Sequence, residues 1–328
     1  MAPSAPTAFP ALPPQLLALA PKTNDFGLPK SIIIHGKPGT RKTSTAGAVI
    51  KVPEFKNKPV RVAYIDIDNG TEVFVNDPEV LAAVFNEFAS QAPDGIYRDA
   101  ETGEPLHTFD PTKPRIFIAQ LDKTKTLMSY DILLNLFGYS YVDQQTLKEI
   151  DVEGVLFQLG FDIVILDALD VAQEVIVAQL LATTVNEHGK LDSRKAWGEV
   201  KKWTNRIAWK FQNTPSILGI IVMHTDEETS EVTGLKTVKP LLSGGAKETI
   251  AGVPSLVAYL ELIADKDGKT ILRATVGDAP GVTSKNRYSF SAPIDGFDLE
   301  KLYSIINDKR ANRALAATPV PASPAGLA

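Results

Sequence analysis

Apolar and polar positions along the chain alternate between two rhythms. Short runs rich in Ile and Val occur at Ser31–His35, Val60–Ile67, Arg115–Gln120, Phe161–Leu166 and Ile217–Met223. Bounded by Gly, Pro, Asp or Asn, such runs read as buried strands. Helical stretches separate them, and that alternation predicts an α/β protein with a mostly parallel central sheet. Two later runs, Leu256–Ala264 and Thr270–Val276, flank Lys266-Asp267-Gly268-Lys269 and predict an antiparallel hairpin, since Asp-Gly favours a tight turn. Helical spacing is clearest from Arg194 to Phe211, where Ala196, Val200, Trp203, Ile207 and Phe211 form one stripe. All three Trp lie on this helix, whose other face sets six cations (Arg194, Lys195, Lys201, Lys202, Arg206, Lys210) against Glu199 alone. Residues 91–114 are polar and turn-rich and read as a surface insertion. No internal repeat of fixed period is found.

The ends differ from this pattern. Residues 1–24 hold no charged side chain before Lys22 and are broken by Pro3, Pro6, Pro10, Pro13, Pro14 and Pro21. A secretory signal needs a basic stretch ahead of its apolar run, so this segment reads as a Pro/Ala-rich disordered tail. Residues 311–328 read as a second one, and either could instead be a partner-binding strip. That leaves a single domain over residues 25–310. No run reaches the roughly 18 apolar residues that cross a bilayer, so a soluble, cytoplasmic protein with no membrane partner is expected.

Composition narrows the chemistry. With 328 residues, 44% of them hydrophobic, the chain can bury a core without staples. The absence of Cys excludes a disulfide scaffold, a thiolate-held metal and a thiol nucleophile. A net charge of -5 argues against a protein coated in basic charge for bulk nucleic-acid binding, though a local basic surface remains open.

The first predicted strand runs into Gly36-Lys37-Pro38-Gly39-Thr40-Arg41-Lys42-Thr43-Ser44, with a helix starting near Lys42. A strand, a Gly-rich turn and a helix are the context of a phosphate-binding Walker A loop, in which backbone N–H groups point at phosphate oxygens. Lys42 would reach the β- and γ-phosphates of ATP, and the Thr43 hydroxyl would ligate Mg2+. Arg41 departs from the pattern, which has Gly there. Either its side chain points out of the loop or its backbone avoids positive φ. The strand Phe161–Leu166 ends in Asp167, a Walker B candidate for holding Mg2+, with Asp170 as a nearby competitor and a plain turn as the bland reading.

Taken together, Gly36–Thr43, Tyr64–Asp68, Asp162–Asp167, the helix around Trp203, Val222–His224, Pro240–Gly244 and Lys285–Arg287 resemble the RecA-like P-loop ATPases of phages. Within these they resemble the AAA-family NTP-binding proteins that include Sak-four-type single-strand annealing proteins. The resemblance covers about residues 28–310. It implies a RecA-like core in which Asp68 positions or deprotonates the attacking water, one methylene short of the usual Glu. Asp66, Asp68 and Asn69 could instead simply cap a turn. His224 would sense the γ-phosphate from its strand end. Lys285 and Arg287 would form a cationic finger pair reaching a neighbouring subunit's ATP. The resemblance further implies ATP-dependent binding or annealing of single-stranded DNA in phage recombination or replication, in host cytoplasm. The protein would be a homo-oligomer with ATP sites between subunits, and a single-strand-binding protein would be a further partner. The other readings are a nucleotide-dependent assembly protein with weak hydrolysis and a DnaB-like helicase motor. The implied DNA loop, Thr225–Ile250, carries three Lys against five acids, which does not favour phosphate binding.

Overall fold

A computed structural model describes residues 29–84, 89–91, 97–99, 113–143, 145–231, 234–277, 279–288 and 293–317. The N-terminal tail, most of the 91–114 insertion and residues 318–328 lie outside these. Strand β1 (Ser31–Gly36) leads through the Gly-rich turn into helix α1 (Lys42–Gly47). Then come β2 (Arg61–Asp66), β3 (Arg115–Gln120), α2 (Thr126–Phe137) and a hairpin of β4 (Gly138–Val142) and β5 (Glu149–Glu153). Next are β6 (Ile163–Asp167), α3 (Leu169–Thr183), α4 (Ser193–Asn213) and β7 (Leu218–Met223). A second hairpin follows, β8 (Thr225–Thr229) with β9 (Lys236–Pro240). The chain closes with β10 (Leu256–Ala264), β11 (Thr270–Thr275), β12 (Lys285–Asn286), β13 (Ile294–Asp295) and α5 (Leu299–Ala317).

The central sheet runs β13-β11-β10-β1-β7-β6-β2-β3, with β12 pairing β10. From β10 to β3 every pairing is parallel, and the late strands are antiparallel. The expected α/β fold is therefore present, hairpin included. Strand β1 shows why its sequence is continuous apolar: Ile33 faces one core, while Ile32 and Ile34 face the other. A strand covered on both faces loses the usual polar alternation, and each such side chain contributes about 1.5–3 kcal/mol of burial. Helices α2, α3 and α4 cover one face; α1 and α5 cover the other.

The structure adds detail to two sequence expectations. Helix α5 runs to Ala317, into residues 311–328, where Arg310–Ala317 is mostly good helix formers, Asn312 aside, with no Pro until Pro319. The basic face of α4 is also not a bare cationic stripe. Arg206 pairs with Asp151 of β5, Lys210 meets Glu153 at 3.0 Å, and Lys202 meets Glu199 at 3.1 Å. Half of its cations thus dock the β4–β5 hairpin or a neighbour on the same helix.

Candidate functional site

The parallel strands β1, β6, β2 and β7 end side by side, and the chemistry-bearing residues sit at those ends. Gly36 is fixed by space: a Cβ there would lie 2.6 Å from the Leu260 carbonyl oxygen and 2.6 Å from Thr40 Oγ1. The turn folds back on the Lys37 carbonyl, which accepts from Thr40 Oγ1 at 2.8 Å and from Lys42 Nζ at 2.9 Å. Pro38, Gly39 and Ser44 complete this loop, Gly39 taking φ 81. Arg41 has φ 59 and ψ 25, so the backbone does adopt the left-handed conformation for which the pattern has Gly, with the side chain turned to solvent. A non-Gly residue there carries a penalty of about 1 kcal/mol. Arg41→Gly is expected to raise stability by about that amount in urea denaturation, less the entropy Gly adds to the unfolded chain. Arg41→Ala, which keeps a Cβ, is expected to gain nothing.

Lys42 is buried and lies among carboxylates. Burial pulls its pKa down, while the charges of Asp167, Asp170 and Asp68 push it back up. Asp167, 3% exposed at the end of β6, accepts through Oδ2 from Thr43 Oγ1 at 2.6 Å and from Tyr64 OH at 2.6 Å. Burial raises the Asp167 pKa, and the two hydroxyl donors oppose that rise. The Thr43 hydroxyl and the Asp167 carboxylate are hard oxygen donors on facing elements. They suit Mg2+, which takes one or two protein oxygens and completes its shell with water and phosphate.

Asp66 is separate from this chemistry. Its buried carboxylate accepts from Gly70 N at 3.0 Å, Thr71 N at 3.1 Å and Thr71 Oγ1 at 2.5 Å, capping the turn after β2. Asp68, beyond that strand, is partly exposed. It meets Lys123 Nζ at 3.1 Å and His224 Nε2 at 3.7 Å. His224 itself is held by Asp170, whose two oxygens accept from the His224 backbone N–H at 3.0 Å and from Nδ1 at 2.7 Å. The Asp170 hydrogen bond is the main cause of a raised His224 pKa, with burial opposing it. Thus Lys42, Thr43, Asp167, Asp68 and His224 converge.

Lys285 and Arg287 do not join them. In β12, Asn286 pairs with Leu256 and Lys285 with Val257, while Leu256 pairs with Ile32 and Leu260 with Gly36. The pair therefore lies beside the start of β10, about 13 Å along the strands from the phosphate loop.

Three residues take roles in the site that the sequence alone does not assign. Tyr64 was visible only as the one hydroxyl-bearing residue in an aliphatic run. Asp170, a competitor for the Walker B position by sequence, lies past the end of β6, where it holds His224. Gly70 packs so closely that a Cβ would lie 2.7 Å from Thr43 Oγ1.

A protein-family model described as an AAA domain matches residues 28–288. No curated protein matches the chain. Among solved structures the chain is similar to a prototypical ATPase from the type III secretion system of pathogenic bacteria, at 12% identity and a TM-score of 0.35. That alignment covers 70% of this chain and 51% of the other, so this chain spans about half the length of that relative.

Proposed function

We propose, from the premise that this chain belongs to the AAA domain family and is a P-loop ATPase domain, that it is a RecA-like ATPase acting on single-stranded DNA. Phage recombination, annealing or replication is the setting, with a homo-oligomer as the working form and residues 25–310 as the ATPase domain. The observation that carries the site is the contact of Thr43 Oγ1 with Asp167 Oδ2 at 2.6 Å beneath a Gly-rich turn. It joins the phosphate loop to the end of the Walker B strand.

In this reading the turn's N–H groups bind phosphate oxygens, and Lys42 exchanges the Lys37 carbonyl for the β- and γ-phosphates. Thr43 and Asp167 would hold Mg2+, which when bound neutralises charge developing on the phosphates. Asp68 takes the proton of the attacking water. Water oxygen bonds to the γ-phosphorus, the bond to the β-phosphate oxygen breaks, and ADP and phosphate leave. His224, fixed by Asp170, responds to the γ-phosphate across from Asp68. Lys285 and Arg287 can reach an ATP only across a subunit boundary.

A second reading has a specific basis. Asp68 is already engaged, 3.1 Å from Lys123 Nζ and 3.7 Å from His224 Nε2, so its carboxylate would have to leave those partners to reach an attacking water. That favours a nucleotide-dependent assembly protein that hydrolyses slowly. Phosphate release with and without single-stranded DNA separates the readings. Acceleration by the strand is the expected result. Tight ATP binding with no turnover would point to the assembly protein, and strand unwinding to a helicase motor.

A further inference from the structure

The β8–β9 hairpin stands where the resemblance would put the DNA-contacting loop, but its charges are spent internally. Lys236 meets Glu227 at 2.9 Å, Lys239 meets Glu228 at 3.3 Å, and Lys247 lies 3.4 Å from both Asp226 and Glu228. Glu227 also holds Lys37 of the phosphate loop at 2.8 Å. A strand binding there would have to displace these carboxylates.

A different surface has the opposite balance. Near the start of β10, at the other end of the sheet, a cleft of about 560 Å3 opens between the last turns of α4, the turn at 249–253 and Arg287. Trp209 lines it and is 53% exposed, whereas Trp203 on the same helix is 5% exposed. A large aromatic face left in water beside a cleft can serve as a platform on which a flat ring stacks. Asn205 and Gln212 line the same cleft. The Asn205 oxygen already accepts from Thr249 Oγ1 at 2.8 Å, and the Gln212 oxygen accepts from Ser31 Oγ at 2.7 Å and Ser255 Oγ at 3.1 Å. With both oxygens engaged, the two carboxamides offer their NH2 groups as donors. Arg287 adds a guanidinium that donates to the Val253 carbonyl at 3.1 Å, and Lys285 donates to the Gly252 carbonyl. Among the described residues neither cation forms an ion pair. Burial and the neighbouring Arg287 charge lower the Lys285 pKa, as two adjacent cations without a counterion should.

We infer that this cleft is a nucleotide-unit subsite for single-stranded DNA. Trp209 stacks on a base, the Asn205 and Gln212 amides donate to its acceptor edge, and Arg287 with Lys285 holds the flanking phosphate. The cleft offers a flat ring, amide donors and positive charge together, and a single nucleotide unit matches all three with its base, its acceptor edge and its phosphate. This rests on the proposed single-strand function and locates it away from the hairpin.

The test titrates the full chain with a thymidine oligonucleotide and follows Trp fluorescence. Quenching on binding is expected in the wild type. Trp209→Ala should weaken binding roughly ten- to hundredfold, and Trp209→Phe should keep most of it while losing the quench. Arg287→Gln should flatten the dependence of log K on log salt by about 0.7, one phosphate's share for a single strand. Binding of a fluorescent ATP analogue, whose loop lies at the other end of the sheet, should stay unchanged in both Trp209 variants, and the circular dichroism spectrum should stay unchanged in all three. If thymidine monophosphate quenches as strongly as the oligonucleotide, the cleft binds free nucleotide and the strand assignment is overturned. Unaltered oligonucleotide binding in Trp209→Ala and Arg287→Gln sinks the subsite alone. If Arg287→Gln instead loses ATP turnover while still binding the strand, the pair serves a neighbouring subunit. Failure of the wild type to bind any strand removes the single-strand function itself.

Discussion

Replacing Lys42 with Ala is expected to lower ATP turnover by at least about a hundredfold, the usual cost of removing a donor aimed at developing charge. It should also weaken ATP binding. Two effects act in the same direction. The substitution removes the cation that would neutralise the phosphates, and it leaves Asp167, Asp170 and Asp68 facing the site without it. A triphosphate then enters a net anionic pocket. In the folded chain the ammonium rests on the Lys37 carbonyl at 2.9 Å, a neutral acceptor that is readily exchanged for a charged phosphate oxygen. Single-turnover phosphate release reports the first effect, and titration with a fluorescent ATP analogue reports the second. Wild-type affinity in Lys42→Ala would overturn the assignment of the phosphate loop.

What the sequence disclosed, and what it withheld, follows from how far apart the interacting residues are. The phosphate loop is a local object: Gly36 to Thr43 carry its turn, its helix start and its cation in consecutive positions. The strand ends were legible because runs buried on both faces must be apolar and must stop at polar residues. Even the cost of Arg41 could be framed from sequence, and the coordinates selected its positive φ from the two possibilities. The contacts that finish the site join distant segments. Thr43 meets Asp167, Tyr64 meets Asp167, and His224 meets Asp170, pairs that no spacing rule connects. Electrostatics misled for the same reason. The cations of α4 looked like a free stripe until β5 brought Asp151 and Glu153 against them. The Lys285 and Arg287 pair could be noticed but not located, because only the β10–β12 register puts it at the end of the sheet away from the loop.

His35 makes the other large prediction, one in which acid rather than mutation is the probe. It is the next-to-last residue of β1, just ahead of the phosphate loop, and is fully buried. Nε2 lies 2.8 Å from the Thr283 carbonyl oxygen and Nδ1 lies 3.1 Å from Thr225 Oγ1. A carbonyl only accepts, so Nε2 carries the proton and, in the neutral ring, Nδ1 accepts from the Thr225 hydroxyl; a second proton on Nδ1 would make that hydroxyl turn and accept instead, and would place a charge in a buried site. Burial is the chief cause of a pKa lowered from 6.5 to about 4, the Thr283 hydrogen bond opposing it and the Lys42 charge adding to it. Because the folded pKa is depressed, the unfolded chain binds the extra proton first. The associated stability is present above pH 6.5 and is lost as pH falls towards 4, by about 3 kcal/mol in all. His224, with its pKa raised, behaves oppositely: its contribution is full below pH 6.5 and fades as pH rises. The two windows therefore meet near pH 6.5 and do not mask each other. Urea midpoints of the wild type should fall between pH 6.5 and 4, and a His35→Gln variant, though less stable at neutral pH, should show a flatter profile over that interval. The imidazole proton resonances give the same answer without unfolding the chain: the His35 signal should titrate near pH 4, and titration near 6.5 would mean that the ring is not locked between Thr225 and Thr283.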